Sequence, residues 1–293
     1  MPTLREVRNR IVGVKKTQKI TRAMKMVAAA KLRRAQGAVV AARPYARGMK
    51  ALLQHLLPSM QPGTEPLLTP RPVKTLGVVV ITSDRGMCGA FNTNIMRAAQ
   101  AHMASAMPDF RTAGSVRLFL LGKKGSDFFS KQGLPILEKQ PGFFNHLNTG
   151  EAAAQVRNLI ELFLRGEVDR VDLVYNEFKS VAQQRVVVEQ FLPLVPEASP
   201  TQAAQKGVDY IYEPSQKDIL TALLPRYLNF IFWKALLESN ASEQGARMAA
   251  MENATENAKE LIETLQLAYN KARQAAITKE LLEVVSGADA QKA

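Results

Sequence analysis

The sequence predicts an α/β fold class: a long antiparallel coiled coil of the N- and C-terminal helices plus a central domain of alternating strands and helices. Three observations carry that expectation. Apolar or small residues recur at 3–4 spacing near both ends of the chain, a cluster of prolines follows the first helix, and strand-like runs alternate with helical stretches between residues 73 and 213.

Segment 3–57 reads as one helix, with Leu4, Val7, Ile11, Val14, Gln18, Thr21, Ala28, Leu32, Ala35 and Val39 on a single stripe. A stripe sustained this long fits a coiled-coil seam of ~80 Å, too long for the interior of a compact domain. Gln18 and Thr21 interrupt the apolar character midway, so packing there is expected to be weak. Pro44 predicts a kink.

Residues 58–72 hold Pro58, Pro62, Pro66, Pro70 and Pro72 with Gly63, and read as a linker. Candidate strands follow at Thr75–Thr82, Val116–Leu121, Val171–Phe178 and Gln184–Leu192, with helices near 92–105, 124–132 and 150–166. That order predicts a mostly parallel, Rossmann-like sheet over residues 73–213, with Asp209–Tyr212 as a last short strand. Ser215-Gln216-Lys217-Asp218 fits a capping box and opens the C-terminal helix, residues 214–293, whose first turns Pro225 is expected to break or kink. Its stripe is Ala254, Ala258, Leu261, Leu265, Ala268, Ala272 and Ala275. The two terminal helices, one basic and one bearing Glu252, Glu256, Glu260 and Glu263, should pair antiparallel.

Charge is distributed unevenly. Of 39 Lys and Arg, 14 lie in residues 1–50 beside one acid, Glu6, so the whole net charge of +13 resides there. Such a block faces a polyanion or an acidic protein surface, or is a solvated helix face. The hydrophobic content of 46% excludes wholesale disorder. One cysteine, Cys88, excludes an internal disulfide, and His55, His102 and His146 show no metal-ligand spacing. The longest apolar run, Leu76 to Ile81, is strand-sized, and the N-terminus lacks the apolar core of a secretory signal. A soluble protein of a reducing compartment is expected, with no metal, cofactor or catalytic residue.

The loop Ser83-Asp84-Arg85-Gly86-Met87-Cys88-Gly89-Ala90-Phe91-Asn92 lies where an α/β sheet binds phosphate, yet it matches neither glycine-rich fingerprint. A tight turn is the preferred reading, as it is for Gly122-Lys123-Lys124-Gly125. Cys88 reads as a buried thiol, and Asp84 with Arg85 as a local ion pair. Met24, Met26 and Ala28 to Ala30, set among Lys25, Lys31, Arg33 and Arg34, suit a surface that slides or repacks against a partner, as do Ala272, Ala275 and Ala276 beside Arg273 and Gln274. Ile277, Leu281, Leu282, Val284 and Val285 form an apolar tip.

At Thr17–Ala29, Ser83–Gly89, and Ala246–Met251 through Asn270–Glu280, in this order, the chain resembles the gamma-subunit family of F-type ATP synthases over nearly its whole length. The resemblance implies a non-catalytic central rotor shaft inside a ring of three alpha and three beta subunits. Proton-driven rotation of the membrane c-ring would turn it, and its angle would bias the beta conformers. It further implies beta-subunit contacts at Met24, Lys25, Arg33, Arg34, Arg273, Gln274 and Thr278, and a bearing at Ile277, Leu281, Leu282, Val284 and Val285. A foot at Tyr210, Tyr212 and Glu213 would meet the membrane ring and the epsilon subunit. The implied location is peripheral, on the cytoplasmic face of the bacterial inner membrane, with no membrane span and no nucleic-acid partner. The chain departs from the family at Met87, where Leu is common, at Lys279, where an amide is usual, and at Leu282, where a small hydroxyl is common. The competing reading is a nucleic-acid-binding protein using its basic helix, although no aromatics interleave the charges.

Overall fold

A computed structural model describes residues 3–56, 65–109, 114–181, 183–194, 213 and 215–290. The elements in chain order are α1 (Leu4–Leu56), β1 (Leu76–Ile81), α2 (Phe91–Ala106), β2 (Val116–Leu121), α3 (Lys123–Phe129), β3 (Ile136–Gln140), α4 (Thr149–Leu164), β4 (Arg170–Phe178), β5 (Gln184–Leu192) and α5 (Gln216–Ala290). Contacts divide the chain into two compact units. One comprises Met1–Ala29 with Arg247–Ala293, and the other Ala30–Ala246.

In the first unit α1 opens with a reciprocal cap. Thr3 N–H donates to Glu6 Oε2 at 2.9 Å and Glu6 N–H donates to Thr3 Oγ1 at 3.3 Å, satisfying two of the helix's orphan donors. Val7, Thr21 and Ala28 are buried, and Leu4, Ile11, Val14 and Gln18 half-buried, on the expected stripe. Thr21 meets Thr255, and four residues on Lys25 meets Glu252, so the chains run antiparallel. The seam of α5 differs from the expected one. Met251, Ala258 and Ile262 are buried, and Ala254, Thr255, Leu265, Tyr269, Ala272 and Ala276 half-buried, so Ala254, Ala258, Leu265 and Ala272 of the expected stripe hold while Leu261, Ala268 and Ala275 are exposed. Ile262 and Tyr269 win over their preceding neighbours because together they bury more apolar area than Leu261 with Ala268.

The second unit holds a five-stranded sheet in the order β3-β2-β1-β4-β5. Strands β1 to β4 are parallel, and β5 returns antiparallel beside β4. β1 and most of β2 are buried on both faces, which explains why their runs read as continuous rather than alternating. On one face Val79, Ile81, Phe119, Leu173 and Tyr175 pack with α4 and with Leu224, Leu228 and Phe232 of α5. On the other, Val78, Val80, Leu118 and Leu120 pack with Ile95, Ala99 and Met103 of α2.

Several expectations change. β3 was not expected: Ile-Leu-Glu-Lys-Gln is half polar because it forms a sheet edge. α1 runs unbroken through Pro44 and α5 through Pro225, so the break expected as one alternative at Pro225 does not occur. Each proline forfeits one backbone hydrogen bond, but Met49 and Leu53 after Pro44, and Leu224, Leu228 and Phe232 around Pro225, are buried and hold the turns in place. From Glu65 onward the proline-rich stretch is tied down. Pro66–Leu68 forms a 3-10 turn, Leu67 is buried, and Leu194 N–H donates to Leu67 O at 2.8 Å. The expected strand Asp209–Tyr212 lies outside the described residues. Ser215 caps α5 as expected, its Oγ accepting Asp218 N–H at 3.1 Å.

Candidate functional site: helix pair and loop cluster

In the first unit the middle of the seam is polar. Thr21 Oγ1 and Thr255 Oγ1 lie 2.7 Å apart, and the two hydroxyls also meet the carbonyls of Gln18 (3.1 Å) and Met251 (2.7 Å) respectively. The hydroxyls are thereby satisfied rather than orphaned. A groove of about 430 Å³ opens here, lined by Gln18, Arg22, Glu252, Glu256 and Lys259 among others, so apolar packing is interrupted as expected.

Lys25 Nζ pairs with Glu252 Oε1 at 2.5 Å across the helices, with both side chains partly exposed. Such a pair adds little to stability and leaves the helix faces charged. Met24 and Lys25 are half-buried, and Met26 and Val27 exposed at 61% and 57%. Arg273, Gln274 and Thr278 are exposed, with Thr278 Oγ1 returning to Gln274 O at 3.0 Å.

The helices end unequally. Stepping back from Thr21 to Leu4, and as far forward from Thr255, reaches Ala272, so the last turns of α5 outrun α1. Ile277, Leu281, Leu282, Val284 and Val285 therefore stand 50–70% exposed, with no described residue of α1 alongside them. An exposed apolar end of this kind marks an interaction surface or an aggregation liability.

In the second unit, the loops leaving the carboxyl ends of β1 and β3 line a cleft of about 810 Å³ with Lys31, Arg34, Arg85, His146, Trp233 and Glu243. Arg33 and Arg34 are exposed. Asp84 turns its carboxylate to backbone donors of neighbouring loops. Its carboxylate accepts the backbone N–H groups of Lys123 (2.9 Å), Gly142 (2.7 Å) and Phe144 (2.9 Å). The loops after β2 and β3 are thereby fastened to a side chain of the loop after β1, which sequence spacing could not reveal.

The β1–α2 loop is closed on itself. Ser83 N–H donates to Asn92 Oδ1 at 2.9 Å, and Asn92 Nδ2 donates to Ser83 Oγ (2.7 Å) and to Cys88 Sγ (3.2 Å). Cys88 is 2% exposed, as its reading as a buried thiol required. Gly122 has φ +93°, and a Cβ there would stand 2.1 Å from Thr82 O. Both glycine loops are tight turns. Among the described residues no group of three or more His, Cys, Asp or Glu is placed to hold a metal ion. Also among them, no helix is long and apolar enough to cross a membrane.

Tyr210 and Tyr212 lie outside the described residues, and Glu213 is exposed. Sequence reasoning missed Thr255 as the partner of Thr21. The signal available was a second threonine at a seam position one turn from the buried Ala258.

Residues 3–291 match a family model described as ATP synthase. The chain is 50% identical over 299 residues to an ATP synthase gamma chain of Chloroherpeton thalassium, covering 99% of this chain and 98% of the relative. It is equally similar, at 50% over 293 residues and all of both chains, to one from Chlorobaculum parvum. Among solved structures it resembles a chain of the Tetrahymena thermophila mitochondrial ATP synthase central stalk and c-ring, with TM-score 0.59 and 27% identity, covering 80% of this chain and 99% of that one. A rotor chain of the Euglena gracilis mitochondrial ATP synthase shares the fold, with TM-score 0.67 and 23% identity, covering 94% and 98% of the two chains.

Proposed function

The chain belongs to the ATP synthase gamma chain family, and from that premise we propose how it works as the central rotor shaft of an F-type ATP synthase. It performs no catalysis itself. It couples rotation of a proton-driven membrane ring to ATP synthesis at the beta subunits of a ring of three alpha and three beta chains, with epsilon as its companion at the foot. The observation that carries this reading is the full-length 50% identity to gamma chains, joined to an antiparallel helix pair whose longer member ends in exposed apolar residues. A shaft of this kind acts by differential contact. Each angle presents different side chains to each beta chain and so shifts its conformational population.

Within that role, Met24, Lys25, Arg33, Arg34, Arg273, Gln274 and Thr278 are the proposed contacts to beta. The basic residues would meet acidic segments, and the adaptable Met side chains, among small Ala residues, would repack as the shaft turns. Ile277, Leu281, Leu282, Val284 and Val285 are the proposed bearing, and Tyr210, Tyr212 and Glu213 the proposed contact with the membrane ring and epsilon. Functionally, residues 1–57 and 214–293 would serve as shaft, 58–72 as linker and 73–213 as the α/β domain that supports the foot. The chain is peripheral to the membrane, and we place it on the cytoplasmic face of the bacterial inner membrane. Nothing in the family or the fold supports nucleic-acid binding.

Native mass spectrometry after co-expression with alpha and beta chains, with DNA as competitor, tests the reading. One copy of this chain with three of each partner, and ATPase activity, is the expected result. A free chain that binds DNA with steep salt dependence would overturn it.

A further inference from the structure

The seam of α5 has a neighbour of nearly the same quality. Ala258, Leu265 and Ala272 recur every seven residues and lie on the seam. The observed seam completes them with Thr255, Ile262, Tyr269 and Ala276. The residue immediately before each of these is Ala254, Leu261, Ala268 and Ala275, and that set completes a second 3–4 stripe through the same three shared residues. At 100° per residue, turning α5 about its own axis by ~50° exchanges one stripe for the other without sliding the helices.

The two stripes are chemically close. Ile262 and Leu261 are isomeric side chains, and Ala276 and Ala275 are identical. Tyr269 favours the observed seam through its ring. The remaining difference is Thr255 against Ala254, both half-buried, and it falls where the two helices join hydroxyl to hydroxyl, Thr21 to Thr255 at 2.7 Å, one turn from the Lys25–Glu252 ion pair. In the rotated arrangement Ala254 would face Thr21, and that contact would be lost. A polar residue at a seam position commonly fixes register at some expense of stability. The groove of about 430 Å³ beside the pair leaves room for such a rotation.

We propose that this part of the helix pair has two rotational settings, and that the Thr21–Thr255 hydroxyl pair is the detent that holds it in the observed one. The seam choice itself does not depend on the rotor reading; only its use as a torsional element does. Under torque, α5 would yield by exchanging seams rather than by unwinding.

The test is disulfide trapping in the full-length chain within its co-expressed complex. One heptad along each helix from the threonines, Val14 lies opposite Ile262 in the observed setting and opposite Leu261 in the rotated one. The pair Val14→Cys with Ile262→Cys reports the first, and Val14→Cys with Leu261→Cys the second. Cys88, 2% exposed, stays in place as a control thiol. In the parent the first pair should dominate. Thr21→Val with Thr255→Val, which keeps volume but removes both hydroxyls, should raise the ratio of second to first about five- to tenfold, the effect of one net hydrogen bond. Thr21→Ser with Thr255→Ser should return it to the parent value. Moving the hydroxyl, by Ala254→Thr with Thr255→Ala, should raise the ratio further and keeps the test alive if the valine variant fails to fold. An unchanged ratio in both variants would overturn the proposal, whether or not the chain proves to be a rotor.

Discussion

Asp84 and Phe144, 60 residues apart in sequence, are joined by a hydrogen bond from the Phe144 backbone N–H to Asp84 Oδ2 at 2.9 Å, while Oδ1 of the same carboxylate takes the N–H groups of Lys123 and Gly142. One charged side chain thus ties the loops after β2 and β3 to the loop after β1 at the carboxyl end of the sheet. Asp84→Ala leaves all three donors unpaired at a partly buried site and should cost about 2–4 kcal/mol. Urea unfolding of the full chain measures this, and an unchanged midpoint would show that water replaces the carboxylate fully.

Gly122 permits no side chain. Its backbone sits at φ +93°, and a Cβ would collide with Thr82 O, while Gly125 lies against the Thr82 side chain and its N–H donates to Thr82 Oγ1 at 2.8 Å. Gly122→Ala should lose roughly 3 kcal/mol or more, because both the conformation and the space are wrong. Gly133 also has a positive φ but faces open space, so Gly133→Ala should cost only about 1 kcal/mol. Paired thermal melts separate the two cases.

Tyr175 is 2% exposed and donates to Glu189 Oε2 at 2.7 Å. Burial first, then the charge and hydrogen bond of Glu189, and then Glu238 and Glu177, hold its hydroxyl far above the ordinary tyrosine value of 10.0. A folded-state value raised in this way leaves stability intact below the unfolded value and erodes it above, as the unfolded chain releases a proton that the folded chain keeps. Above about pH 10 the parent should therefore lose up to ~1.4 kcal/mol per pH unit more than Tyr175→Phe, and below pH 9 the two slopes should coincide. Equal alkaline slopes would place the tyrosine in water.

Arg33 and Arg34 are exposed and Lys25 is half-buried beside Glu252, and all three have a role proposed at the beta contacts. Reversing all three to Glu should weaken coupled ATP synthesis several-fold and leave the helical signal unchanged, since exposed charges contribute under ~1 kcal/mol each to stability. Unchanged coupled synthesis would sink the contact assignment.

The stripe of α1 was legible because eight of its ten positions from Leu4 to Val39 are apolar, Gln18 and Thr21 being the exceptions, and all ten lie at least half-buried. On α5 small residues fill two stripes almost equally, and local pattern could not weigh Tyr269 against Ala268. The central strands announced themselves through burial on both faces. Edge strand β3 did not, because Glu138 is occupied by Gln140, Gln155 and Asn158 side chains rather than by core. The contacts of Asp84 and Thr255 were illegible for a different reason: each joins residues that only the finished topology brings together.

The hydrogen bond between Thr21 and Thr255 closes a loop of 234 residues, whereas every strand pair of the sheet forms within residues 76–192. On a ribosome, the sheet can therefore pair its strands while the residues of α5 are still being made. Until the seam residues of α5 around Thr255 have been made, the positively charged α1 waits for its companion. Loop closure on this scale is slow, and a waiting amphipathic helix invites wrong partners. Its surplus of like charge repels other copies of itself over that interval, so the same lysines and arginines that suit the finished machine also guard its assembly.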